Sequence, residues 1–413
     1  MHISNHLHLS YCTNIHPGET WEEVLKSLKE YLPTLKKNLS PNQPFGIGLR
    51  LSDLASRELA EQQSLADFQE WLTKNGLYVY TMNGFPYGGF HKQVVKDQVH
   101  KPDWTTHDRL EYTKRLAGIL AVLLPAGMEG GISTSPLSYK PWHHSQDQTD
   151  AVLSAATENL LELVVFLLQL KHKTGKTIHV DLEPEPDGLL ENSDEVIHYF
   201  NDWLLAKGID KLTQANLLNS TKAREAIVAH IQVCYDVCHF ALAYENPSEA
   251  FLKFSSAGIR VGKVQLSAAL KVKVPTDTYG KAVLREKLLP FAESTYLHQV
   301  VAQHPDGSLS HYTDLALALA VIQKTEAREW RIHFHVPVFT DSYNGLQSTR
   351  EDVQQVLALL EKERITNHLE VETYTWDVLP DGLKTDLAHS IRRELEWVIE
   401  TINEKQDAKD GRH

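Results

Sequence analysis

Residues Val180–Pro186 read VDLEPEP. A short β-type apolar run ends there on Glu183, and Pro184 and Pro186 then stop the strand, because proline cannot donate to a sheet ladder. A carboxylate is thus delivered where a strand should end. Three later segments repeat the arrangement: CYDVCHF (Cys234–Phe240), KVQLSA (Lys263–Ala268) and LEVETYTW (Leu369–Trp376). Carboxylates and amides at successive strand ends converge, and converging carboxylates repel unless a cation or a proton sits among them. The pattern predicts a divalent-metal site at the mouth of a parallel β/α barrel.

Working outward, short apolar runs alternate with helical stretches, the signature of parallel β/α architecture. The expected barrel strands are His6–Tyr11, Phe45–Leu51, Leu77–Met82, Gly130–Thr134, Thr177–Leu182, Ile231–Tyr235, Val261–Leu266 and Leu369–Thr373. A ninth run, Trp330–Phe339, is either an extra piece near the seventh strand or a competitor for its place. Lys271–Glu329 holds a hairpin-like pair, Tyr296–Gln303 and Ser308–Tyr312, around HPDG. Two long loops, Asn83–Asp103 and Ser135–Asp147, follow candidate strands and are rich in aromatics, Gly and Pro. Loops of that kind on the C-terminal face of a barrel build pockets. The expectation is one α/β (β/α)8 TIM-barrel domain over 1–404, with long C-terminal-face loops. An insertion over about 271–340 precedes the last strand; a C-terminal helix, Leu383–Glu404, and a tail, Lys405–His413, close the chain.

Composition narrows the function classes. The chain has 413 residues, 42% of them hydrophobic and 23% charged, enough for a large core and ordinary for a globular protein. A net charge of −13 opposes broad binding to nucleic acid or anionic membranes. Cys12, Cys234 and Cys238 are too few and too irregular for a disulfide framework, which fits a reducing compartment. The start, MHISNHLHLSYC, lacks the layout of a signal peptide, and Glu158, Asn159 and Glu162 interrupt the apolar stretch Leu153–Leu170. The expected location is cytoplasmic, with no membrane insertion and no nucleic-acid partner.

The candidate chemistry sits at the strand ends. Glu183 and Glu185 are adjacent enough for one to be a ligand and the other its support. Asp236 ends a strand and needs a cation or a helix to cap, and His239 lies three residues on. His239 reads as a metal ligand, a proton carrier or a histidine packed at a helix start. Gln265 holds a similar strand-end position, with Lys263 and Ser267 on the same face as candidate substrate contacts or ordinary core. His333 and His335 stand two apart in RIHFHVPVF, a metal or proton-transfer signal or a hydrogen-bonded pair. Glu372 closes the last strand, with Glu370 on its face and Trp376 at the rim; Asn14 and His16 end the first strand and Asn83 the third. No P-loop, dinucleotide fingerprint, H-E-x-x-H or G-x-S-x-G occurs.

LEPEP, DVCHFA and LEVET, in this order and spacing, resemble the xylose-isomerase-like superfamily of sugar isomerases, sugar epimerases and apurinic endonucleases. The resemblance implies metal ligands at Glu183, Asp236, Gln265 and Glu372, with Glu183 and Glu372 exchanging a substrate proton and His239 completing D-x-x-H. Gln265 stands where the sugar epimerases carry histidine, and His333 or His335 is the candidate to compensate. His335 is placed with the metal, while His333, Asn14, His16, Asn83 and Trp376 are placed with the substrate. LSYCTNIHPGETW, MNGFPYGGFH, HVDLEPEPDG and LEVETYTWDVLP are similar to the EboE group of metabolite traffic proteins. The implied function is a metal-dependent isomerase or epimerase (Mn, Zn, Co, Fe or Mg) acting on a small polyhydroxyl metabolite. The alternative is a non-catalytic metabolite-binding protein of the same fold. A metal-dependent hydrolase of the endonuclease type fits the charge less well.

Overall fold

The computed structural model describes residues 1–3, 6–89, 94–214, 218–379 and 386–409. Its first seven strands are β1 (His8–Tyr11), β2 (Phe45–Arg50), β3 (Leu77–Asn83), β4 (Gly130–Thr134), β5 (Ile178–Leu182), β6 (Ile231–Asp236) and β7 (Val261–Leu266). An excursion then contributes β8 (Ala268–Lys273), β9 (Val300–Gln303), β10 (Leu309–Tyr312), β11 (Glu329–Val336), β12 (Ser342–Tyr343) and β13 (Leu346–Ser348). The chain returns to the first sheet with β14 (His368–Val371). That sheet runs β1-β14-β7-β6-β5-β4-β3-β2, every pair parallel. Cys12, next after β1, bridges in parallel to Gly48 of β2 and closes the ring. The eight expected barrel strands are the eight observed.

Strands β2, β5, β6 and β7 are buried along their whole length, as parallel strands covered by helices should be. The covering helices begin and end on local signals. Thr20 and Glu23 form a reciprocal capping box at the start of Trp21–Leu39. Gly175, at φ 72°, ends Gln146–Thr174 in the left-handed conformation that glycine adopts without steric cost. Gln146–Thr174 has the length and apolarity to cross a membrane, yet Leu153, Leu160, Leu161, Leu163, Val164 and Leu167 on it are buried in the protein core.

The barrel interior carries charge. Lys263 donates to Glu370 Oε1 at 2.7 Å, both fully buried, and Asp181 pairs with His179 at 2.6 Å. Burial pulls the Lys263 ammonium down, but Glu370 outweighs it and the group ends above the ordinary lysine range. Glycines make room for these side chains: a Cβ on Gly48 would stand 1.6 Å from Glu370 Oε2, and one on Gly262 2.0 Å from Asp181 Oδ1. Lys263 and Glu370, which alternation allowed at the mouth, therefore bind each other deep in the core.

The second sheet runs β10-β9-β11-β8-β13-β12 and is antiparallel throughout. Only Ser267 separates β7 from β8, so the chain leaves the barrel and continues directly into this sheet. The run Trp330–Phe339 is the extra piece, supplying β11 against β8 and β9. The last helix, Leu387–Lys409, is tied to both sheets by Glu394, whose Oε1 accepts from Thr373 Oγ1 (2.6 Å) and the Val338 amide (3.1 Å).

Candidate metal centre and pocket

Three carboxylates meet at the strand ends. Glu183 follows β5, its amide donating to Thr134 O at 2.9 Å. Asp236 is the last residue of β6, and Glu372 follows β14, anchored by its amide to Leu266 O at 3.1 Å. All three are buried, and their nearest oxygens lie within 4.8 Å of one another. Glu183 Oε2 and Asp236 Oδ2 have no hydrogen-bond partner. Burial, then Glu372 and Asp236, raise Glu183 well above the carboxylate range; burial, then Asp236 and Glu370, raise Glu372 likewise. Buried oxygens without donors, facing each other, are a donor set suited to a hard divalent cation.

The remaining bonds around the carboxylates show what each oxygen is free to do. Asn14, in the turn after β1, and Asn83, the last residue of β3, both donate to Glu372 Oε1, at 2.8 and 2.9 Å. That oxygen is committed, and Oε2 is the one left for an ion or a substrate. Asp236 Oδ1 accepts from Ser267 Oγ (2.7 Å) and caps the helix Val237–Leu242 through the His239 amide (3.1 Å), so Oδ2 is the free atom. Asp236 combines the two roles that the sequence left as alternatives: it caps a helix and faces the centre.

Gln265 is engaged by its neighbour. Its Oε1 accepts from the Cys234 thiol at 2.8 Å, and its side chain does not line the pocket. The cause is the neighbouring strand: burial, then Glu183, raise Cys234 well above the thiol range, so it keeps its proton and donates. The strand-seven oxygen expected at the metal is therefore occupied.

Imidazoles from elsewhere fill the mouth. A bulge in β11 lets it advance from Ile332 to His335 while β8 moves only from Leu270 to Ala269, which aims His333 and His335 over the barrel. His335 Nδ1 is 2.9 Å from the Glu372 carbonyl, which can only accept, so Nδ1 carries the proton. Its Nε2 is then a lone pair, buried and partnerless, and His335 has a ring nitrogen within 4.8 Å of ligand atoms of Asp236 and His239. Burial lowers His335 to about 4 and His239 below its ordinary value. His239 Nδ1 faces Pro184 O at 3.0 Å.

Above these groups opens a pocket of about 590 Å³ of free space, counting its solvent-facing part. Glu183, Glu185, Glu372, Asn14, Asn83, His239 and His333 form its floor, and Phe85, Val95, Val99, Tyr296 and Tyr374 its apolar side. The walls come from the loop after β3 and from the excursion, which meet where the Val95 amide donates to Thr295 O (2.7 Å) and Lys96 pairs with Asp314 (2.5 Å).

Two expected substrate contacts lie apart from this pocket. His16 is buried, bonded to the Tyr11 hydroxyl (2.9 Å) and stacked on Tyr31. Trp376 packs in the hydrophobic core, and Tyr374 takes the rim position instead. Among the wall residues that escaped the sequence reading are His100, which burial lowers to about 3, and Gln299. His100 lies in a long aromatic loop after β3, a signal that was present; nothing local marks Gln299.

No protein-family model and no curated protein matches the chain. Its architecture is the (β/α)8 TIM barrel, and several solved structures are similar to it. A D-tagatose 3-epimerase-like protein shares 11% identity over 97% of this chain and 99% of that one, with a TM-score of 0.48. The IOLI protein with a binding zinc atom shares 10% over 96% and 99%, TM-score 0.46. A xylose isomerase-like TIM barrel protein from Mycobacterium smegmatis, in complex with magnesium, shares 12% over 96% of both chains, TM-score 0.47.

Proposed function

We propose that this chain is a metal-dependent isomerase or epimerase of a small sugar or polyol, a cytoplasmic single-domain barrel of the EboE type that its motifs resemble. The observation that carries the reading is the buried convergence of Glu183, Asp236 and Glu372 with partnerless oxygens on the first two. Glu183 Oε2, Asp236 Oδ2, Glu372 and His335 Nε2 would hold the ion. A bound divalent cation would neutralise the carboxylates and polarise a substrate carbonyl, acidifying the neighbouring hydroxyl-bearing C–H. Asn14 and Asn83 fix the Glu372 carboxylate, and Glu183 and Glu372 are the pair to take and return the proton. The apolar side, with Phe85, Tyr296 and Tyr374, suits the C–H face of a sugar and excludes water from the exchanging proton.

The turn of Gln265 toward Cys234 favours a second reading, a binding protein that holds a metabolite without proton exchange. Solvent deuterium exchange into a panel of ketoses and aldoses separates the two. Incorporation by the wild-type protein, lost in Glu183→Gln, supports the isomerase; metabolite binding without incorporation supports the binder. A Glu372→Ala protein that keeps all its metal would refute the centre itself.

A further inference from the structure

The three strands that deliver carboxylates to the mouth are polar at their other ends as well. His179 of β5 stands four residues before Glu183, Gln232 of β6 four before Asp236, and His368 of β14 four before Glu372. Residues four apart on a strand share a face, and at ~3.3 Å per residue they stand about 13 Å apart. His179, Gln232 and His368 are buried and line a second cavity, at the N-terminal end of the barrel, with about 670 Å³ accessible to water. Small-molecule sites hold roughly 300–1,000 Å³. This end of a barrel ordinarily serves stability, and buried polar groups placed there cost free energy unless something bonds them.

The floor of this cavity offers acceptors. Gln232 Nε2 donates to Ala229 O at 3.0 Å, which fixes the amide and leaves Oε1 without a partner among the described residues. His179 Nδ1 is committed to Asp181 Oδ1 at 2.6 Å, and in the neutral ring Nε2 is the lone pair left for the cavity. The His179 ring stacks on that of His368, with centres 5.3 Å apart. His368 Nε2 donates to Glu129 O at 3.1 Å, so its Nδ1 is a lone pair too. That lone pair and Asp181 Oδ2 are both buried and partnerless, and both lie within 3.0 Å of the point where a Cβ on Gly131 would stand. Acceptors backed by a carboxylate select a charged donor, an ammonium group before a hydroxyl.

The rim carries the opposite preference. Arg260 and Arg364 stand on it, and neither forms an ion pair among the described residues; Arg364 bonds to Asn367 Oδ1 at 3.5 Å. Glu129 and Glu363 share the rim, also without ion pairs among the described residues. Between rim and floor lies an apolar wall with Phe251 and Phe254. We infer that this cavity binds a small zwitterion of the amino-acid class. Its ammonium group sits on Gln232 Oε1 and His179 Nε2, its carboxylate on Arg260 and Arg364, and its side chain against Phe251 and Phe254. The site lies at the opposite end of the strands from the carboxylate centre and does not rest on the isomerase reading.

Saturation-transfer NMR of the whole chain with each standard amino acid tests this, followed by the N-acetyl and methyl-ester forms of those that bind. At least one amino acid should bind saturably. Blocking either its amine or its carboxylate should weaken binding about tenfold or more, as should Gln232→Leu and the pair Arg260→Gln with Arg364→Gln, each removing a charge-assisted hydrogen bond. In ¹⁵N-histidine-labelled wild-type protein, the His179 Nε2 resonance should move in step with occupancy, a readout that needs no variant to fold. Absence of saturable binding by every amino acid would overturn the site, as would binding that leaves the His179 resonance unmoved. Methyl esters that bind as well as the free amino acids would overturn the zwitterion, because the arginines would then hold no carboxylate.

Discussion

Removing the ion should make the protein lose stability as pH rises, and the size of the effect follows from the strand-end geometry. Oxygens of Glu183, Asp236 and Glu372 lie within 4.8 Å of one another. At an effective dielectric of about 20, two unit charges at that separation repel by about 3.5 kcal/mol, so three ionised carboxylates carry roughly 10 kcal/mol. That matches the whole stability of an ordinary domain, roughly 5–15 kcal/mol, so the ion-free protein must keep protons here. Glu183 and Glu372, both raised, are the groups that keep them. A carboxyl with a raised folded pKa contributes stability that is complete below its unfolded value, about 4.3, and is lost as pH climbs through the folded value. The ion-loaded protein holds the same groups ionised and has no such loss. The stabilisation conferred by the ion should therefore grow with pH by about 1.4 kcal/mol per unit for each proton displaced. Between about pH 7 and about pH 8, each proton the ion-free protein still holds adds about 1.4 kcal/mol to that gain. The window lies above about 6.5 because the buried histidines, whose values are lowered, act with the opposite sign below it. Denaturant unfolding with and without chelator at the two pH values measures the difference, and titration calorimetry in two buffers of unlike ionisation enthalpy counts the protons. An equal stabilisation at both pH values, with no proton released, would show that the carboxylates are already ionised without a cation and that the electrostatic reasoning is wrong.

Lys263→Met should cost about 3–5 kcal/mol by leaving Glu370 charged and unpaired in the barrel core, and adding Glu370→Gln should restore much of it; thermal melts of the single and double variants decide. Burial raises Glu394 to about 7, so its contribution disappears as pH rises from about 4.5 to that value. Glu394→Gln, which keeps an acceptor for Thr373 and Val338, should gain about 3 kcal/mol relative to wild type between about pH 5 and pH 8. A difference between the two proteins that stays flat with pH would mean that Glu394 titrates normally.

How far the residues announced this arrangement depends on the range of the interaction that sets each one. The barrel strands were legible because a parallel strand covered on both sides must be apolar along its length, and β2, β5, β6 and β7 are. Glu183, Asp236 and Glu372 were legible for a related reason: each is the polar residue that ends such a run, and a closed barrel brings strand ends together whatever the loops do. Lys263, read as a substrate contact or ordinary core, proved to be core, paired with Glu370; alternation fixes a face but not a depth, and depth is set by which glycine leaves space, here Gly48 for Glu370. His16 and Trp376 misled because nearness to a strand end does not distinguish a residue facing the axis from one folded back onto the helices. The histidines needed the most that a sequence does not contain. That His333 and His335 form a pair was visible, but their arrival over the barrel depends on β8 prolonging β7 past the rim and on a bulge that adds two residues to β11 opposite β8. The same docking supplies Gln299, whose Oε1 stands 2.8 Å from His333 Nδ1. The excursion thus reaches the strand ends: the three carboxylates and His239 belong to the barrel, His333 and His335 arrive on the inserted sheet, and the charge gathered there is relieved by a proton or by a cation.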